Sequence, residues 1–422
     1  MNEQRKVITI LGSAGGVAKA VLSILNKAAQ DEQDVIHHVM TSCTIHLIDH
    51  NQKEPAYYGE LFPYIQDKFV CHQLDLQDTQ KLINHLEHTK TTIVIDVSRA
   101  DTVEMLQCCD QLGIHYVNTA LESRMVDEHQ ELYEGFPLME RIKYFENHKD
   151  SFSNSSSIIG SGMNPGVVQW MAIELLKKDP KEKPLGCYIV EHDTTFFKNK
   201  EMAKENVIYT TWSPESFLDE AILSYPMFMK HHTPLFLYEN VYNFEFKVTL
   251  GDKQFNGCLM PHEEVYTLCQ LYDMEGGFLY KINDHTTELI RSNLDDVDEL
   301  WNHEMKVLDP LDEAIEGEDL VGVLLVYEDK ERYMYNVLNN DSILSQYKTN
   351  ATYFQVACGI YASLSVLLLD QIPKGVYYVD ELLLKTDNQY GQYLTYYMKD
   401  FVTGENNHTD GLLLQRMKKF RH

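Results

Sequence analysis

Short runs of β-branched and aliphatic residues alternate with longer stretches of helical period through the first third of the chain, the pattern of a parallel sheet wrapped by helices. "KVITILG" predicts a first strand, a helix follows from about Gly16 to Ala29, and further strands are predicted at "CTIHLID" and "FVCHQLD". A helix near 77–88 leads to "TTIVIDVS", almost wholly apolar as a strand buried on both faces is. Another helix, over roughly 101–112, leads to "IHYVNTA". After the polar stretch 151–157, "SIIGSGMNPGVVQWMAIELL" predicts a strand, a glycine-rich turn and a helix with Pro165 in its first turn, where a missing N–H is no loss.

From about Leu185 the pattern becomes β-rich, with "CYIVEHD", "YNFEFKVTL", "VGVLLVYED" and "RYMYNVL" as strands of a mixed or antiparallel sheet. Near the end, "ATYFQVACGIYASLSVLLL" reads as an apolar helix rich in small residues, packed in a core rather than in lipid. The last residues, "ENNHTDGLLLQRMKKFRH", place a basic end on the chain. No internal repeat is visible.

"LGSAGGVAKAV" follows the first predicted strand and opens the first predicted helix. Gly12, Ser13, Ala14, Gly15, Gly16 and Val17 then form a turn whose backbone N–H groups approach a pyrophosphate at a helix N-terminus. The second strand ends at Asp49, whose carboxylate suits two ribose hydroxyls and repels a 2′-phosphate, favouring NAD over NADP. Ser98, Thr119, Asn164 and Pro165, at later strand ends, complete the expected cofactor site. The fold class expected is α/β: a Rossmann-type doubly wound parallel sheet with a second α+β domain on a mixed or antiparallel sheet. The division expected is a nucleotide domain over 1–180 completed by a C-terminal helix within 351–385, a substrate-binding and dimerisation domain over 181–350, and an extension over 386–422.

Composition narrows the partners. At 422 residues, 44% of them apolar, the chain can bury two cores. A formal charge of −28 argues against a nucleic-acid backbone and for small cations. No stretch has the length and apolarity of a secretory leader or a membrane span, which leads us to expect a cytoplasmic chain without membrane contact. The eight cysteines show neither CxxC spacing nor a nearby histidine pair, so neither a disulfide framework nor a metal is expected.

Polar functionality gathers at turns: Glu122 in "NTALES", Asn164 in "GSGMNPG", Glu191 in "VEHDTT", Trp212 and Glu220 in "TTWSPESFLDEA", His262 in "MPHEEV" and Asp319 in "IEGEDLVGVLL". These stretches, in this order from the first strand to about residue 382, resemble homospermidine synthase, within the wider saccharopine dehydrogenase-like group; "HDT…TWS" is the most specific part. The resemblance implies NAD-dependent oxidation of putrescine, aminobutyl transfer to a second amine with loss of ammonia, and reduction to homospermidine. It implies a homodimer, a cation-binding role for Trp212, acids of the inner amine site at Glu191 and Glu220, an acid near the entrance or the nicotinamide at Glu122, pocket-wall positions for His262 and Asp319, and a polar turn beside the cofactor at Asn164.

Hydride loss from an amine carbon needs a neutral nitrogen, so a base must take the ammonium proton; Glu191, Glu220 and His262 are the candidates. Two departures from the family pattern stand out. "ILSYPMFMKHHTPLF" occupies the place of a glycine-, tryptophan- and histidine-rich segment, and "ESR", with Arg124, replaces "EPW". An arginine suits a carboxylate, which a plain diamine lacks. An NAD(P)-dependent dehydrogenase of the saccharopine or carboxyspermidine kind is therefore the alternative reading.

Overall fold

The computed structural model describes residues 5–419, so the final 420–422 of the basic tail lie outside the described residues. The described residues divide into two compact units: 5–128, 141–167 and 353–398 form the first, and 129–140, 168–352 and 399–419 the second.

The first unit is built on a seven-stranded sheet. Its strands are β1 (Val7–Leu11), β2 (Thr44–Asp49), β3 (Phe69–Gln73), β4 (Ile93–Asp96), β5 (His115–Asn118), β6 (Ser156–Ile159) and the late strand Gly375–Tyr378. They lie in the order β3-β2-β1-β4-β5-β6 with Gly375–Tyr378 beyond β6, and every pair is parallel. This is the doubly wound order, whose crossovers are the helices α1 (Gly16–Gln30), α2 (Thr79–Thr89) and α3 (Thr102–Leu112) with others. Asp78 and Asp101 cap α2 and α3 by accepting amide hydrogens of their first turns, and Lys90 and Gly113, both left-handed, end them. The central strand β4 is buried throughout, as its unbroken apolar run requires. On β2 and β3, His46 and His72 stack against each other and meet His85 of α2 edge-on, and burial lowers the His46 and His85 rings to about 4.

Pro165 does not open the next helix. The Asn164–Pro165 bond is cis, Gly166 takes φ 127°, and α4 begins only at Val167 (Val167–Lys178). The intervening turn closes on itself, Gly162 N–H donating to the Pro165 carbonyl at 2.8 Å and Val167 N–H to the Gly162 carbonyl at 3.1 Å.

The second unit is a large mixed sheet. Its main strands are β7 (Gly186–Asp193), β8 (Phe244–Leu250), β9 (Lys253–Met260), β10 (Glu275–Lys281), β11 (Glu318–Val326) and β12 (Glu331–Asn339). β7 runs parallel to β10 and antiparallel to β11, and the other neighbouring pairs among these six are antiparallel. Side chains alternate across a strand, so the two faces of this sheet differ. One carries Tyr188, Val190, Phe246, Val248, Leu279, Leu320 and Leu324 in a closed apolar core. The other carries Glu191, Asp193, Asp319, Phe278 and Tyr280, because these are the odd positions of β7 and β11 and the even positions of β10, locked together by the register Tyr280↔Glu191 and Asp319↔Asp193. The C-terminal stretch joins this sheet: Val402–Asn406 pairs with β12 and Met417–Lys419 with β8. The buried Arg416 guanidinium pairs there with Glu331.

α5 (Glu263–Leu271) follows β9, and α6 is the apolar helix Ala351–Leu369. Against the expectation that no stretch has the length and apolarity of a membrane span, α6 is long and apolar enough to cross one; 83% of its most apolar window is buried inside the protein, as in a core helix.

Candidate active site

In the first unit, the glycine turn is shaped by its neighbours. Gly12 has φ 76°, and a Cβ there would stand 2.8 Å from both Ser98 Cα and the Val97 carbonyl oxygen, so only glycine fits. Gly15 caps α1 without a side-chain hydrogen bond, no acid occupies the first turn, and a Cβ on Gly16 would enter the Tyr353 ring. An uncapped helix N-terminus behind a glycine turn leaves amides and a positive dipole end for an anion, so these residues fit a dinucleotide pyrophosphate. Val17 lies in that first turn. Asp49 supports the turn directly: one carboxylate oxygen accepts the Ala14 N–H at 2.9 Å and the other the Asn51 N–H at 2.7 Å. Tyr58 donates its hydroxyl to the Ser13 carbonyl at 3.2 Å.

The later strand ends are equally ordered. Ser98 donates both N–H and hydroxyl to Asp96, whose carboxyl burial raises to about 6. Gly162 packs beside Thr119, and Asn164 precedes the cis proline. Glu122 is tied by its backbone to Thr102, its N–H to the hydroxyl at 3.0 Å and its carbonyl to the Thr102 N–H. Arg124 forms an ion pair with Glu104.

The second unit holds Glu191, Trp212, Glu220, His262 and Asp319. Trp212 follows the strand Val207–Thr210, is half-buried, and donates its indole N–H to the Tyr280 hydroxyl at 3.2 Å. From Tyr280 a ladder of rings runs along β10 to Phe278 at 5.8 Å and then to His262 at 4.5 Å between centroids. Glu191 lies beside Tyr280 in register, and its charge, after burial, raises the Tyr280 hydroxyl well above its ordinary value. Asp193 and Asp319 are both fully buried.

At the other end of the ladder His262 hydrogen-bonds to Glu264 through Nδ1 and stands 3.9 Å from Glu220 through Nε2. Burial alone would lower the imidazole; Glu264, Glu220 and Glu263 outweigh it and raise the ring to about 10, so it is an imidazolium at neutral pH. Burial, with Glu263, Asp219 and Glu264 adding repulsion and His262 opposing, raises Glu220 to about 8. Glu220 Oε2 is buried without a hydrogen-bond partner. A carboxyl poised near 8 beside a fixed cation can exchange a proton with a bound amine under ordinary conditions.

Residues 8–148 match the family model described as "Saccharopine dehydrogenase NADP binding domain". Saccharopine dehydrogenase (L-Glu forming) from Saccharomyces cerevisiae is similar over 95% of this chain and 99% of its own, with a TM-score of 0.59 at 10% identity. Residues 8–148 are thus similar to a nicotinamide-nucleotide-binding domain, and the chain shares the fold of that dehydrogenase. Other solved structures are less similar: a myo-inositol dehydrogenase from Corynebacterium glutamicum (TM-score 0.37, 7% identity, 87% of this chain and 90% of that one) and an oxidoreductase from Sinorhizobium meliloti (TM-score 0.35, 11% identity, 93% and 96%). Among curated proteins no sequence matches this chain.

Thus the structure groups Glu191, Trp212 and Asp319 around Tyr280, and Glu220 with His262, while Glu122 and Asn164 belong to the first unit. Sequence reasoning missed Tyr280, Asp193 and Glu264. Asp193 and Glu264 stand in the quoted motifs "VEHDTT" and "MPHEEV", whereas Tyr280 becomes visible only once β10 is aligned with β7.

Proposed function

We propose that the protein remakes a secondary amine from cationic diamines with NAD, in the manner of homospermidine synthase: oxidation of putrescine, aminobutyl transfer with loss of ammonia, and reduction. The observation that carries this reading is the polar face of the second unit's sheet. There Glu191, Asp193 and Asp319 line up beside the Trp212–Tyr280 pair, with Glu220, Glu263 and Glu264 around His262. Carboxylates suit the ammonium ends of a diamine, and the indole suits a cation passing beside it, worth roughly 0.5 to 2 kcal/mol.

A nicotinamide dinucleotide would supply the hydride acceptor and donor, and the Gly12–Gly16 turn, Asp49, Ser98, Thr119, Asn164 and Pro165 are the residues that would hold it. Asp49 favours NAD, since its carboxylate repels a 2′-phosphate. Glu220 takes the ammonium proton that must leave before the amine carbon can give up hydride. His262, held charged by Glu264, keeps Glu220 from drifting to a still higher pKa. Glu191 and Asp319, on one face of the second unit's sheet, receive an ammonium end of the diamine. A homodimer in the cytoplasm, without nucleic-acid or membrane contact, belongs to the same reading.

A second reading, a saccharopine- or carboxyspermidine-type dehydrogenase that consumes NAD(P)H each turnover, is favoured by the whole-chain likeness in fold. One experiment separates them. Nucleotide freed by denaturing the pure protein is identified, and fresh protein is incubated with putrescine while homospermidine and ammonia are followed by mass spectrometry. Product without net NADH change supports the synthase. Stoichiometric NAD(P)H loss with an oxo acid and an amine, and no homospermidine, overturns it.

A further inference from the structure

Away from this chemistry, the first unit brings together three histidines that no motif connects. His46 projects from β2, His72 from the edge strand β3, and His85 from α2. The register Ile48↔His72 and His46↔Val70 puts His46 and His72 on the same face of the sheet, two positions apart, and α2 brings His85 over them. One ring nitrogen of each lies within 4.8 Å of those of the other two. Ring centroids are 5.1 Å (His46–His72), 5.4 Å (His46–His85) and 4.4 Å (His72–His85) apart.

Hydrogen bonding leaves the group incomplete. His46 Nδ1 and His72 Nε2 stand 2.8 Å apart, so one must carry the proton and the other accept it. His85 Nε2 is buried without a partner. A buried ring nitrogen without a partner costs free energy, and a metal ion would remove that cost.

We propose that His46, His72 and His85 form a binding site for a divalent transition-metal ion of the imidazole-preferring class, typified by Zn2+. Three neutral imidazoles with a fourth position left to water are a known open zinc arrangement, with Zn–N bonds of about 2.0 to 2.1 Å. Tetrahedral coordination sets the nitrogens about 3.4 Å apart, so the hydrogen-bonded pair must open slightly and the third ring close in. Side-chain rotation can do both, because His72 and His85 are only half-buried. The ion would tie the sheet's edge strand to its neighbour and to the helix above, and so stabilise the folded unit by mass action.

The test uses the full chain without a histidine tag, stripped with chelator. Co2+ is titrated by its visible absorption, Zn2+ by competition and by metal analysis after dialysis, and thermal unfolding is followed with and without Zn2+. One ion per chain is expected, with a raised unfolding temperature. His72→Gln and His85→Gln should each weaken binding about a hundredfold or more, since even outer-shell partners of a metal ligand cost 10 to 100-fold. His38→Gln, at an exposed position, and His262→Gln, in the second unit's acidic cluster, should leave it unchanged. Should the unmutated chain retain no ion after dialysis, or should the ion survive His72→Gln and His85→Gln, or depart with His262→Gln, the site does not exist. The unmutated titration decides this even where a variant folds poorly.

Discussion

Asp193 and Asp319 face each other as direct partners across the antiparallel pair of β7 and β11, both fully buried, with the Thr211 hydroxyl donating to one at 2.5 Å and the Thr352 hydroxyl to the other at 2.6 Å. Burial raises both carboxyls, and the Asp193 charge raises Asp319 further, so the pair retains a proton that free carboxylic acids would have lost. A folded-state pKa above the unfolded value adds stability at low pH, and that stability is lost as pH rises. Asp319→Asn mimics the protonated acid. It should be more stable than the parent by roughly 1 to 2 kcal/mol at pH 8, with the gain shrinking toward pH 4. Urea unfolding at both pH values measures this; destabilisation at pH 8 would remove the shared proton from the account.

Glu220 should govern the pH profile of turnover. With its carboxyl raised to about 8, activity should climb as pH approaches that value and the base becomes ionised. Glu220→Gln should flatten the rise and lower kcat by about 100-fold or more, within the range of a general base. The same shift makes a stability statement. Folded Glu220 holds its proton where the unfolded carboxyl has lost it, so its contribution declines between the ordinary carboxylate value and about 8. The Gln variant should therefore gain relative stability as pH rises from 5 to 9, read by thermal scans across that span.

Gly12→Ala and Gly15→Ala separate conformation from composition. At Gly12 the positive φ and the 2.8 Å approach of Ser98 and Val97 backbone atoms force the turn to move, whereas at Gly15 the nearest atom, the Gly12 carbonyl oxygen, lies at 3.3 Å. Gly12→Ala should cost about 1 to 3 kcal/mol of stability and most nucleotide affinity. Gly15→Ala should keep the fold and lose far less binding. Calorimetric titration with NAD and NADP on both variants checks the contrast.

How much of this was legible beforehand follows from what each feature depends on. The helix at Gly16–Gln30 and the strands Val7–Leu11 and Ile93–Asp96 declare themselves by local period, and the glycine turn by its place between strand and helix. The late strand Gly375–Tyr378 joining β6 does not, because its pairing lies more than 200 residues away in the chain. The start of α4 was misplaced at Pro165 because the glycine at φ 127° that closes the turn against Gly162 cannot be told from any other glycine. In the candidate site, Trp212, Glu191 and His262 stand out in the sequence through their motifs. The companion roles of Tyr280 and Asp193 needed the β7, β10 and β11 register, and the three-histidine cluster needed β2, β3 and α2 to be folded together.

Asp49 should decide between the two nicotinamide dinucleotides. Its carboxylate already binds the Ala14 amide at the glycine turn, which places a negative charge at the end of β2, where the adenosine ribose is expected in this fold. Asp49→Asn keeps a carbonyl acceptor for that amide and removes the charge. NADP affinity relative to NAD should rise by about tenfold or more, equal to some 1.4 kcal/mol. An unchanged ratio, measured by competition binding, would place the 2′-hydroxyl elsewhere.

Trp212 can act by its π face or by its volume, and two substitutions tell these apart. Its N–H binds the Tyr280 hydroxyl at 3.2 Å and its ring meets Phe217 edge-on at 6.1 Å, so both ends of the indole are held while the residue stays half-exposed. Trp212→Phe keeps an aromatic face and gives up the hydrogen bond; Trp212→Leu gives up both. If the face stabilises a cation, Leu should lower kcat/KM by about 2 to 30-fold beyond Phe, the kinetic equivalent of roughly 0.5 to 2 kcal/mol, at nearly equal unfolding temperatures. If the indole matters only through the hydrogen bond that holds it, the two variants should fall together, and Tyr280→Phe, which removes the acceptor of that bond, should fall with them. Steady-state kinetics of the three variants, on putrescine and on a neutral amine surrogate, therefore tests whether the ring meets a positive charge during turnover.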